Sequence, residues 1–200
     1  MIGIIDYEVG NLASIKNMLK KIEVDSFFIQ DSSDFSKATK LILPGVGSFD
    51  YGMEQLEKKG FIESMGNQVL EEKKPILGIC LGAQLLTQSS EEGEKKGLGW
   101  VNATTVKFKT QLPVPNMGWN DIKITQENKL LIDFHDIPRF YFVHSYHFKF
   151  NDEEQVLAYG NYDYDYACAF QKENILGVQF HPEKSHKFGM QLLKNFSQNF

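Results

Sequence analysis

Apolar residues follow two rhythms along this chain, and the change between them divides it. In the first half, short apolar runs at residues 1–6, 24–29, 40–43 and 76–79 are separated by longer stretches. Runs of this length predict strands, and the fully apolar ones suit strands covered on both faces. In the intervening stretches Leu12, Ile15, Leu19 and Ile22, with Met18 alongside, keep helical spacing, as do Phe61, Ile62, Met65 and Val69. Strands alternating with helices predict a parallel α/β sheet. Beyond a charged, glycine-bounded surface loop at 91–97 the helical rhythm fades. Short β-rich runs take over at 104–108, 121–125, 140–143, 155–159, 166–170 and 175–180. A closing helix carries Phe188, Leu192, Leu193 and Phe196 on one face, despite Gly189. The expectation is an α/β fold: an open, mostly parallel sheet flanked by helices, with additional β-strands in the C-terminal half. Without repeat, low-complexity tract or long linker, residues 1–200 read as one domain.

Composition narrows the possibilities. A chain of 200 residues with 42% hydrophobic content can bury a sizeable core. The net charge of −5 and the lack of a Lys/Arg cluster argue against nucleic acid as a partner. No apolar stretch approaches membrane-spanning length, and the N-terminus reads as a strand rather than a signal peptide. Two distant cysteines make no disulfide framework, so a cytoplasmic location is expected and the sequon at Asn102-Ala103-Thr104 carries little weight. The histidines lack metal-ligand spacing, and no glycine loop with its lysine is placed to cradle a phosphate, so neither metal nor cofactor is expected.

Candidate chemistry centres on Gly78-Ile79-Cys80-Leu81-Gly82, where an apolar strand runs straight into a helical pattern. This is the form of a nucleophile elbow with sulfur in place of oxygen. Two glycines permit the tight turn, and a helix N-terminus favours thiolate over thiol. The alternative is a small apolar cysteine between ordinary loop glycines. In open α/β sheets ligands bind beyond the carboxyl ends of strands, where three features fall: the 44–47 loop, Cys80 and His181.

A cysteine nucleophile needs a base, and His181 follows an apolar strand with Pro182 stiffening the turn beyond it. Glu183 could orient the imidazole and stabilise its charged form. A structural surface turn is the competing reading of His-Pro-Glu. His135 and His186 suit solvated positions, whereas His144 and His147 end an aromatic strand and either line a site or cap it. Cys168 reads as a buried, inert thiol. Oxyanion donors would come from the Leu81 N–H and from Gly45-Val46-Gly47, through Val46 and Gly47. Alone, that stretch is also compatible with a plain Pro-Gly turn.

With these residues assembled, the chain resembles the class I glutamine amidotransferases, and among them the glutaminase subunits of imidazole glycerol phosphate synthases. The stretches that carry the likeness are Ile5-Asp6-Tyr7 with Gly10-Asn11-Leu12, Leu43-Pro44-Gly45-Val46-Gly47, the cysteine elbow with Gln84-Leu85-Leu86, Gly97-Leu98-Gly99-Trp100, Met117-Gly118-Trp119-Asn120, Tyr141-Phe142-Val143-His144-Ser145-Tyr146, and Gln179-Phe180-His181-Pro182-Glu183-Lys184-Ser185. The resemblance implies that Cys80 attacks the side-chain amide of L-glutamine to form a thioester, with His181 as acid and base and Glu183 orienting it. It implies that Gly47, Gln84, Ser145 and Tyr146 hold the glutamine. It also implies delivery of ammonia through a (β/α)8-barrel cyclase subunit, docked at Asn11, Met117, Trp119, Tyr141 and Lys184, and low activity until that partner reorients the 45–47 peptide.

Three residues depart from the family pattern. Glu8 stands where glycine is usual, Ala83 where methionine usually follows the elbow, and Asn116 where histidine commonly precedes Met-Gly-Trp-Asn. Glu8 and Asn116 fall in stretches expected near the partner. They keep open a paralogous role, supplying ammonia to a sugar amidotransferase subunit that acts on surface sugars. A catalytically silent assembly protein and a stand-alone cysteine hydrolase are the readings from other classes. The intact Cys80, His181 and Glu183 oppose the first, and the Met-Gly-Trp-Asn stretch opposes the second.

Overall fold

The computed structural model describes residues 1–200. Its first half alternates strands and helices: β1 (Ile2–Ile5), α1 (Leu12–Lys21), β2 (Ser26–Ile29), β3 (Lys40–Leu43), α2 (Phe49–Lys58), α3 (Phe61–Gly66, continued by a π turn over Asn67–Glu71), β4 (Ile76–Ile79) and α4 (Leu81–Leu85). The second half is strand-rich: β5 (Ala103–Lys107), β6 (Asn116–Ile124), β7 (Arg139–His144), β8 (Tyr146–Phe150), β9 (Val156–Tyr162), β10 (Tyr164–Lys172) and β11 (Ile175–Val178), closed by α5 (His186–Asn199). The eleven strands share one mixed sheet in the order β2-β1-β3-β4-β11-β10-β9-β6-β7, with β8 pairing both β10 and β5. Strands β2, β1, β3, β4 and β11 run parallel, and every pairing beyond β11 is antiparallel.

Alternation along the parallel strands feeds two cores, one on each face of the sheet. Leu41 and Leu43 join Phe49, Met53, Leu56 and Leu85 of α2 and α4 on one face. Ile42 points the other way, to Ile15 and Leu19 of α1 and to Leu192, Leu193 and Phe196 of α5. Burial on both faces is why these strands read as continuous apolar runs. Each fully buried Leu or Phe contributes about 1.5–3 kcal/mol of transfer free energy. No helix is long and apolar enough to cross a membrane.

The structure departs from the sequence expectations in four places. Helix α2 had no counterpart in the apolar rhythm; Phe49, Met53 and Leu56 do keep helical spacing, but Gly52 interrupts it to pack against Leu81 and Leu85. His144 and His147 belong to two strands rather than one, because Ser145 separates β7 from β8. Strand β6 begins at Asn116, ahead of the apolar run, since its first half pairs with β7 while exposing Met117 and Trp119. The 91–97 segment is not a free surface loop. Backbone N–H groups of Glu94 and Lys95 donate to the Asp50 carboxylate, and the Phe49 N–H donates to Glu92, strapping the segment to the start of α2.

Candidate active site

Strand β4 stops at Ile79 and the chain reverses through Cys80, whose φ of 53° and ψ of −111° lie outside the ordinary regions for a residue with a side chain. Backbone held in such a region costs of order 1–3 kcal/mol and persists only where surrounding contacts impose it. Here the contacts are visible. The Cys80 N–H donates to the Val178 carbonyl at 2.8 Å, and the first turn of α4 lies hard against the end of β3. A Cβ on Gly82 would sit 1.9 Å from the Leu43 carbonyl oxygen, so only glycine allows that approach.

The register of β11 against β4 brings the rest of the site to the sulfur. Val178 pairs with Ile79, so Gln179 falls beside Cys80 and His181 lies just beyond. The His181 N–H donates to the Tyr141 carbonyl at 2.9 Å, and the Ser185 hydroxyl donates to the His181 carbonyl at 2.6 Å. The ring is fixed as well: Nδ1–H donates to Glu183 Oε1 at 2.8 Å, with both side chains buried. Burial by itself disfavours the imidazolium. The negative charge of a Cys80 thiolate, its contact with the ring and the Glu183 carboxylate outweigh that, pushing the His181 pKa up to about 10. Nε2 has no hydrogen bond of normal geometry, which leaves it free for sulfur or substrate.

Cys80 and His181 open into a cleft of about 460 Å³. Val46, Gly47, Leu81, Gln84, Ser145, Tyr146 and Lys184 line it too, so these candidates from distant stretches share one cavity. Val46 is exposed, and Gly47 has φ 113°, a conformation that favours glycine. Gln84 is nearly enclosed, and its Nε2 donates to Gln179 Oε1 at 3.0 Å and to the Tyr146 carbonyl at 3.4 Å. Asn11, Met117, Trp119 and Tyr141 do not line the cleft. Asn11 caps α1, accepting from the Ser14 N–H. Met117 is 62% and Trp119 42% exposed. The Trp119 ring stacks on His186 at 5.4 Å and meets Tyr141 edge-on, and the Lys184 ammonium lies 5.7 Å from the Tyr141 ring centroid. Met117, Trp119, Tyr141 and Lys184 form an outward-facing strip that reaches the cleft through Lys184.

The family model for glutamine amidotransferase class-I matches residues 3–199. The chain is a class I glutamine amidotransferase. It is 54% identical over 198 residues, 98% of each chain, to imidazole glycerol phosphate synthase subunit HisH 2 of Methanococcus maripaludis. The corresponding protein of Pseudomonas aeruginosa, also HisH 2, is 46% identical over the same share. Among solved structures, a glutamine amidotransferase crystal structure superposes with a TM-score of 0.77 at 21% identity, covering 98% of this chain and 96% of that one. PurLQS from Thermotoga maritima also gives 0.77, at 15% identity, with the same coverage. At those identities the two structures establish the fold.

Sequence reasoning missed several groups in the amidotransferase cleft. Glu92 is the only carboxylate lining it; burial pushes its carboxyl up against the lowering effect of the Phe49 N–H, and Asp50 adds to the rise. Pro115 and Val143 also line the cleft, and so does His144, one of the two histidines that the sequence left between lining a site and capping a strand. His144 Nδ1–H donates to the Tyr146 carbonyl at 2.7 Å, which leaves Nε2 to accept from Asn116 and the Tyr166 hydroxyl, both at 3.4 Å. Burial holds His144 neutral, lowering its pKa to about 3 despite the Tyr146 carbonyl, with charge on His147 and His181 adding to the effect. Asn116 is buried, supports this ring and also donates to the Tyr166 hydroxyl at 3.0 Å. Its departure from the family pattern therefore concerns the interior of the amidotransferase, not its partner-facing surface. Glu8, by contrast, is exposed at φ 67°, which explains the preference for glycine there, and its carboxylate pairs with Lys59 at 2.9 Å.

Proposed function

We propose that this amidotransferase is the glutaminase subunit of an imidazole glycerol phosphate synthase, releasing ammonia from L-glutamine for histidine biosynthesis. The observation that carries the chemistry is the buried His181 imidazole, held by Glu183 and raised in pKa by Cys80, in one cleft with that sulfur. The whole-length likeness to HisH subunits supports the physiological assignment. Residues 1–200 act as one glutaminase domain in the cytoplasm, where Cys80 and Cys168 stay free of disulfides.

Cys80 attacks the glutamine amide carbon as thiolate, and the carbonyl electrons move onto oxygen. The Leu81 N–H and the 46–47 peptide meet that oxyanion. His181 gives its proton to the amide nitrogen, the carbon–nitrogen bond breaks and ammonia leaves a γ-glutamyl thioester. The neutral imidazole then takes a proton from water, whose oxygen attacks the thioester and expels the Cys80 thiolate with glutamate. Glu183 keeps Nδ1 protonated throughout, so Nε2 performs both transfers. Gly47, Gln84, Ser145 and Tyr146 frame the substrate, and Glu92 pairs with its α-ammonium, the charge that a desolvated carboxylate favours. Asn11, Met117, Trp119, Tyr141 and Lys184 receive the (β/α)8-barrel subunit.

Exposed Glu8, in the loop after β1, favours a second reading: ammonia supply to a surface-sugar amidotransferase. Complementation separates the two. Rescue of a histidine auxotroph lacking its glutaminase subunit is expected. Failure to rescue, with glutaminase activity intact, would favour the sugar partner. Replacing Cys80→Ala should abolish glutamine hydrolysis while partner binding persists; substantial residual hydrolysis would remove Cys80 as nucleophile.

A further inference from the structure

One side chain touching the sulfur has no part in the steps above. Gln179 is fully buried, and its Nε2 lies 3.6 Å from Cys80 Sγ. We propose that Gln179 is a catalytic residue whose amide N–H donates to the Cys80 sulfur and holds it as thiolate, in a direction locked by Gln84 and the Tyr146 carbonyl. The proposal rests on the glutaminase reading of the same site.

The polarity of this relay follows from one fixed group. The Tyr146 carbonyl can only accept, and it takes hydrogens from His144 Nδ1 at 2.7 Å and from Gln84 Nε2 at 3.4 Å. The Gln84 amide must therefore present nitrogen. Its second hydrogen goes to Gln179 Oε1 at 3.0 Å. Turning Gln84 around would set its oxygen against the Tyr146 carbonyl. Turning Gln179 around would set two NH2 groups face to face. With both orientations fixed, Gln179 can offer the sulfur only a donor. The parallel register makes the contact a consequence of the fold: Val178 pairs with Ile79, and Gln179 is the next residue beside Cys80.

A hydrogen bond to an anion in a buried site is stronger than one to a neutral group, so this contact selects thiolate, the species that attacks. Other groups also face the sulfur's surroundings. His181 and Glu183 lie beyond β11, Tyr7 beyond β1, Lys184 at the cleft edge, Glu92 in the 91–97 segment and neutral His144 on β7. The test must isolate Gln179 from these.

The rate at which iodoacetamide alkylates Cys80 in the full chain, followed against pH by mass spectrometry, reads the thiolate fraction directly, with Cys80→Ser as the site control. Gln179→Met keeps the length of the side chain and removes the donor. The midpoint of the profile should rise by about one pH unit, roughly a tenfold loss of thiolate below the midpoint. Gln179→Glu should raise it further, because a carboxylate then faces the sulfur, and Gln84→Met should raise it less. Profiles for Met and Glu that superpose on the wild type would overturn the proposal. Where the Met variant fails to fold, the wild type decides: alkylating Cys80 should shift the Gln179 side-chain NH2 resonances, and unmoved resonances would overturn it equally. None of these measurements needs glutamine or a partner. Absence of glutamine hydrolysis by the wild-type complex would therefore defeat the glutaminase reading alone, leaving the sulfur contact to its own test.

Discussion

At the scale of single residues, the site depends on an imidazole that burial would keep neutral and its neighbours keep charged. His181 has an ordinary value of 6.5 and reaches about 10 because the Cys80 sulfur and Glu183 oppose desolvation. A raised histidine pKa adds stability that is complete below about 6.5 and drains away as pH climbs through about 10. Removing the sulfur in Cys80→Ala leaves only Glu183 against burial, so the His181 midpoint should fall, visible in an imidazole NMR titration. The wild type should then lose more stability than the variant between those two pH values in urea unfolding. A midpoint that stays near 10 without the sulfur would assign the shift to Glu183 alone. Cys80, His181 and Glu183 were legible because each lies at or just past the end of an apolar strand, where position itself has chemical meaning. Glu92 was not, since it belongs to a polar run without period and enters the cleft through a bond to the distant Phe49 N–H. Gln179 carries no local signal of its own, because its contact with the sulfur depends on strand register, which no local pattern displays.

At the scale of elements, the elbow works only if β3, β4 and α4 touch without side chains between them. Gly82→Ala would drive a methyl into the Leu43 carbonyl at 1.9 Å, and that atom is backbone inside a sheet and cannot step aside. Overpacking of this kind costs about 1–3 kcal/mol or more. Urea unfolding should register that loss, and slower alkylation of Cys80 should report a displaced elbow. A variant as stable and as reactive as the wild type would show that β3 yields easily. The parallel strands could be read from the sequence because burial on both faces leaves them uniformly apolar. The antiparallel half was harder. There, Met117 and Trp119 face outward on a strand that the apolar pattern began later, and Ser145 divides what looked like one aromatic strand. Helix α2 was hidden by Gly52, whose absent side chain serves its packing on α4 and weakens its apolar signature.

At the scale of the whole molecule, the outward strip and the His181 imidazole are tied together through β7. Tyr141 belongs to the exposed aromatic group through its ring, while its backbone carbonyl accepts from the His181 N–H and its own N–H donates to the Ser185 hydroxyl that holds the other side of His181. A barrel subunit pressing on Trp119, Tyr141 and Lys184 would thus bear on the segment that positions the imidazole, without any linkage through the distant core. Exposed Trp and Met beside a functional cleft are also the residue types that carry binding energy in protein interfaces. Trp119 is 42% exposed and stacks on His186 alone among the strip's histidine and lysine side chains, so Trp119→Ala should leave the isolated chain folded. Its affinity for the barrel subunit should fall by about 2 kcal/mol, near thirtyfold, the loss usual for a central aromatic anchor. Calorimetric titration of the two purified subunits measures this directly. An unchanged Kd would move the docking face away from β6 and β7, and with it the route by which a partner could reach His181.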